Sequence, residues 1–171
     1  MTDTERALLV AGIAATATVS AAIIAALAAY LATRRDRRRQ LYGEALKAAL
    51  GWREMLYRVR RRQKSNQADL VDKFHDLQEQ LTYYQGWIGS ESRYVARSYR
   101  RLVKAVKDGT QELITATWNE PIRELPGNAL PTDEHPSFDV EADAFLRDVR
   151  GHLSPWKPRK IGVYWRNRED V

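Results

Sequence analysis

The 171-residue chain carries 28 Lys and Arg against 22 Asp and Glu, a formal charge of +6, and no cysteine. That length suits one modest domain with an appendage. The missing cysteines exclude disulfides, thiol nucleophiles and Cys-based metal sites and suit a reducing compartment, while the basic balance favours an anionic membrane or nucleic acid as partner.

Hydrophobicity is placed unevenly. Residues 7–32 are apolar or small throughout, about 26 residues and so about 39 Å as a helix. A bilayer core of about 30 Å needs roughly 20 such residues, so the segment predicts a transmembrane helix over 7–33 with room to tilt. The rival is a cleavable signal peptide, for which AALAA offers small-x-small sites. Signal peptides place positive charge before a shorter apolar region. Here Asp3 and Glu5 outnumber Arg6 in front, and Arg34, Arg35, Arg37, Arg38 and Arg39 follow behind. That asymmetry orients the span, with residues 1–6 outside and the bulk in the cytoplasm at the inner (plasma) membrane. The arginines are then a topogenic anchor that also touches anionic lipid headgroups. Within the span, Gly12, Thr16 and Ser20 recur at four-residue spacing, a small-residue stripe that would let two copies approach closely.

Beyond the span the pattern is helical. Tyr42, Ala45, Ala49, Trp52, Leu56 and Val59 mark one face of a helix over about 40–64. Gly43 and Gly51 weaken it by about 1 kcal/mol each relative to alanine. The spacing leaves open whether it continues the span. Ser65-Asn66 reads as a turn and N-cap for a second helix over 67–88, striped by Leu70, Phe74, Leu77, Leu81, Tyr84 and Ile88. Gly89-Ser90-Glu91-Ser92 reads as a break and as the cap of a third helix over 91–119, striped by Val95, Tyr99, Leu102, Val106, Gly109, Leu113 and Ala116, which Pro121 ends. A proline-rich loop with Pro126-Gly127 and Pro131 follows. Ser137 then reads as the cap of a helix over 138–153, along which Phe138, Ala142, Phe145, Val149 and Leu153 recur. Residues 154–171 read as a basic aromatic tail in which IGVYW offers a short extended piece.

The fold class expected is therefore all-α: a transmembrane helix continuing into a cytosolic antiparallel bundle over 34–153, with the tail at its end. Alternating helix directions would bring the 86–89 turn and the tail to the membrane side. That end would collect Tyr83, Tyr84, Trp87, Trp156, Tyr164 and Trp165, rings suited to the headgroup layer. Trp156, Lys157, Arg159, Lys160, Trp165 and Arg166 are the docking candidates.

Chemistry finds little support. In DKFHDLQE, Asp72, His75, Asp76 and Glu79 share a helix face, and acid-x-x-His resembles half of a two-metal carboxylate site. The matching second half is missing, and the apolar stripe puts these residues on a solvated face. No Gly-x-Ser-x-Gly turn, phosphate loop or dinucleotide fingerprint occurs. We therefore expect no catalytic, cofactor-binding or metal-ligating residue.

A second basic cluster, Arg58, Arg60, Arg61, Arg62 and Lys64, lies about 29 to 38 Å beyond Arg39 on a straight helix. That is several Debye lengths of about 8 Å from the lipid. The cluster reads as a contact for a distal partner or as counter-charge to a helix C-terminus. Nucleic acid is the weaker partner, since aromatic stacking platforms are missing there.

The stretches LYGEALKAALGWREMLYRVRRR, LQEQLTYYQGWI and TATWNEP resemble actinobacterial single-pass, membrane-anchored helical proteins with no named function. The resemblance implies an anchored cytosolic helical bundle and brings no activity, cofactor or binding residue. The expected function is that of a scaffold or accessory protein, binding a protein partner or itself at an anionic bilayer. An oligomerising membrane-perturbing effector in stress or phage response, and a membrane tether for nucleic acid, are the alternatives.

Overall fold

The computed structural model describes residues 2–122 and 136–168. The loop expected at Pro126-Gly127 and Pro131 lies outside the described residues. Five α-helices follow in order: α1 Asp3–Arg60, α2 Gln67–Glu91, α3 Arg93–Asn119, α4 Asp139–Leu153 and α5 Lys157–Arg166. A 3-10 turn, Lys64–Asn66, links α1 to α2, and no strand occurs among the described residues. The chain divides into two compact units, residues 1–40 and 41–171. The question of continuity left open by the spacing is answered, because α1 runs without interruption through both.

In the first unit the described side chains of α1 are exposed all round, apart from the half-buried Arg38. Ile13, Ile23, Ile24, Leu27 and Leu31 each show more than half their surface, and none of the most apolar window is buried. Three of its hydroxyls are satisfied within the helix. Thr16, Thr18 and Thr33 donate their hydroxyls to the carbonyls of Ile13, Ala14 and Ala29 at 2.9–3.0 Å. A backbone bonded to itself and hydroxyls folded back onto it are what hydrocarbon requires. This helix is long and apolar enough to cross a membrane.

The second unit has a contiguous apolar core. Tyr42, Ala45, Ala49, Leu81, Ile88, Val95, Tyr99, Leu102, Val106 and Phe145 are all buried within it, and they fall on the periodic stripes of their helices. Contacts fix the register. Along α1 and α2, Glu44 meets Tyr84 and Trp52 meets Phe74, so the partners count in opposite senses. Along α1 and α3 they count together: Tyr99 Oη donates to Ala45 O at 3.0 Å, and Trp52 Nε1 donates to Thr110 Oγ1 at 3.2 Å. Phe145 of α4 packs on Tyr42 and Tyr99, and His152 packs edge-on to Tyr42. The C-terminal end of α4 therefore lies at the end of this unit where residue 41 enters.

Four local expectations need correction. Residues 157–166 form a helix, not an extended piece or a loose tail. Proline in its first turn fits, because a fixed φ and a missing donor cost nothing there. Burial of Val163 then outweighs the β-preference of Val-Tyr-Trp. The break between α2 and α3 is a single residue, since α2 continues through Gly89 to Glu91. Ser92, at φ −163° and ψ 112°, gives its amide to Ile88 O and accepts the Val95 amide on its side chain. Asn66 does not cap α2 with its side chain, whose oxygen accepts the Gln63 amide instead. At α4 the N-cap position belongs to Phe138, and the Ser137 hydroxyl bonds the Asp139 carboxylate at 2.7 Å.

Candidate functional site

The residues singled out in the sequence fall in three places. In the first unit, Arg34, Arg35, Arg37 and Arg39 are exposed, and Arg38 is half-buried. Asp36 pairs with Arg39 at 3.4 Å, one turn away. Gly12, Thr16 and Ser20 are exposed too. A Cβ on Gly12 would meet nothing within 4 Å.

The second basic cluster does not act as a unit. Arg58, Arg61 and Lys64 are exposed and Arg60 is half-buried, whereas Arg62 is only 7% exposed. Its guanidinium donates to Val59 O at 3.2 Å, to Trp118 O at 3.0 Å, and to Thr117 O and Glu120 O. The planar fork thus closes the end of α3, whose last carbonyls have no partner in their own helix. It also lies over the Trp118 ring at 5.6 Å. Arg62 is therefore withdrawn from the partner-binding set, because burial removes it from any partner's reach.

The third place is α5 and its supports. Trp156 and Trp165 are 70% and 58% exposed, and Lys157, Arg159 and Lys160 are exposed beside them. Arg166 instead pairs with Asp148, its Nη2 at 2.6 Å and Nε at 3.0 Å from the same carboxylate oxygen. The other oxygen accepts Asn167 Nδ2 at 2.9 Å. Asn167 is itself buried. Its side-chain oxygen accepts Arg101, and its carbonyl accepts Arg97 at 2.6 Å. Two helices thus grip the C-terminal end of α5.

The sequence reading missed Asp148, Asn167, Arg97, Arg101 and Gly151. Only Asp148 left a trace, as an acid beside Val149 in the apolar stripe of α4. A Cβ on Gly151 would come within 2.6 Å of Val163 and 3.2 Å of Arg159 O. The missing side chain is what lets α5 lie against α4.

Other features are quieter. Tyr83 and Trp87 are exposed on α2 with ring centroids 5.5 Å apart. Tyr84 donates to Glu44 at 3.2 Å. Partial burial and that carboxylate raise the Tyr84 phenol above its ordinary value, and burial pushes the Tyr99 phenol up much further. An open groove of about 850 Å³ runs between α1 and α2, lined by Leu46, Leu50 and Leu77 with Gly43 and Gly51. Asp72, His75, Asp76 and Glu79 are exposed on α2, and no group of three potential ligands has metal-binding geometry among the described residues.

Comparison of the chain with protein-family models, with curated proteins and with solved structures finds no match. The resemblance to actinobacterial anchored proteins thus has no support beyond the stretches that suggested it.

Proposed function

We propose that the chain is a single-pass membrane-anchored interaction protein without catalytic activity. In this reading residues 7–33 cross the bilayer with the N-terminus outside. The helices of residues 41–153 form an antiparallel bundle at the inner surface, where they act as scaffold or accessory subunit for a protein partner or a second copy. The observation that carries it is an apolar helix with no buried residue in its most apolar window, joined in one chain to a well-packed helical unit. Leaving such a surface in water is costly at about 25 cal/mol per Å². A helix held as the core of its own domain would be buried. The run of arginines behind the span supports the orientation, and the opposed register of α1 with α2 supports the bundle.

The test is fractionation with topology mapping. The full-length chain is expected to stay in the membrane after alkaline carbonate, with an N-terminal tag reached by protease only from outside and residues 41–171 only from inside. Release of a shortened chain identifies a cleaved signal sequence and ends this reading. Crosslinking in the same cells then separates its variants. A stoichiometric partner supports the scaffold, while recovery of the chain alone turns attention to self-association through Gly12, Thr16 and Ser20. A strongly salt-dependent nucleic-acid complex would support the tether, now with Arg62 no longer among its contacts.

A further inference from the structure

We propose that α5 is a preformed docking helix for an anionic lipid surface, held in its outward pose by Asp148 and Asn167. The inference rests on the reading of residues 7–33 as a membrane anchor and specifies a second contact with that membrane. Three observations carry it.

The first is the face α5 leaves open. Lys157, Ile161 and Trp165 lie one turn apart along one side of the helix, opposite the buried Val163. Ile161 is 53% and Trp165 58% exposed, and Trp156 stands beside them at 70%. Large apolar side chains flanked by Lys157, Arg159 and Lys160 make the composition of a helix that lies in the headgroup layer. The second is charge complementarity. Residues 156–168 carry five basic side chains and no acid, and Glu169 and Asp170 follow. Among the described residues, Arg166 alone of the five pairs with a carboxylate. The third is place in the chain. His152 and Tyr42 are in ring contact, so α5 follows α4 at the end of its unit where residue 41 enters. Eight residues lie between Ala32 and Leu41, so this end of the unit follows closely on the span in the chain.

Most short amphipathic segments pay for ordering when they meet a membrane. Here Asp148, Asn167, Arg97 and Arg101 hold the last turn of α5, and Gly151 admits it against α4. The open face is thereby presented already folded, which lowers the cost of binding. Asp148 acts as a positioning residue and touches no lipid.

The absence of native cysteine permits one environment-sensitive probe on Ile161→Cys in the full chain. The protein is reconstituted into vesicles of phosphatidylcholine alone, or of equal parts phosphatidylcholine and phosphatidylglycerol. Co-flotation reports the anchor, and the probe reports docking. The expected result is flotation with both vesicles and transfer of the probe from water to lipid only with phosphatidylglycerol. Replacing Lys157→Gln and Lys160→Gln together should lower the docked-to-undocked ratio about thirtyfold, at about fivefold per charge removed. Asp148→Asn should also lower it while leaving those lysines in place. A chain that floats while its probe stays in water with both lipids overturns the docking and spares the anchor. Docking unchanged in Asp148→Asn overturns the latch. A chain that does not float overturns the anchor, and this inference with it.

Discussion

Arg62 shows how far a residue's role lies outside its neighbourhood in sequence. Read among Arg58, Arg60, Arg61 and Lys64, it is one more surface charge. Folded, it is bonded to the carbonyls at the end of α3, more than fifty positions away. Hydrogen bonds to charged groups contribute about 1.5–3 kcal/mol when buried. We therefore expect Arg62→Ala to destabilise the full-length protein by about 2 kcal/mol, read from thermal unfolding by circular dichroism in detergent. Arg58→Ala and Arg61→Ala should stay within about 0.5 kcal/mol. Equal effects at all three would remove the capping role. Tyr99 carries a second prediction. Its buried phenol is held above its ordinary value, so the folded state keeps a proton that the unfolded chain gives up near pH 10. Its contribution is whole below that pH and falls as pH rises toward the folded value, with a slope approaching about 1.4 kcal/mol per pH unit. Tyr99→Phe should cost about 1 kcal/mol at neutral pH, and the gap to the parent should narrow above pH 10. A gap independent of pH would mean that the phenol is not protected by the fold.

At the scale of elements the glycines separate propensity from packing. Gly43 and Gly151 are both helical, and sequence-based propensity treats them alike. A Cβ on Gly43 meets nothing within 4 Å, whereas one on Gly151 runs into Val163 and the Arg159 carbonyl. Gly43→Ala should stabilise by up to about 1 kcal/mol. Gly151→Ala should destabilise by about 1–3 kcal/mol, since an added carbon in a filled contact forces backbone apart. Melting temperatures moving the same way in both variants would contradict the contact between α4 and α5. The same contact explains the misreading of residues 157–166. Ten residues are too few to reveal amphipathic period clearly, and isolated helices of that length are marginal in water. What stabilises α5 is Val163 on Gly151 and the grip on Asn167, both tertiary.

At the scale of the molecule, the first unit and the packed unit obey different rules. Among the described side chains of the first forty residues none is buried, and their composition makes a helix long and apolar enough to cross a membrane. The topology experiment belongs at this scale, since no single side chain decides which flank faces which compartment. The packed unit was legible wherever apolar residues repeat over several turns. Tyr42, Ala45, Ala49, Leu56 and Val59 are buried as their spacing requires, and so are Val95, Tyr99, Leu102 and Val106, whereas Leu113 and Ala116 at the far end of the same α3 stripe are exposed. Local pattern determined these faces because a helix places residues three and four apart on one side, whatever it packs against. Only the tertiary structure decided which polar groups go inside. Asp148, Asn167 and Arg62 are buried because partners from other helices complete their hydrogen bonds, and no period within a helix encodes a partner twenty or fifty residues away.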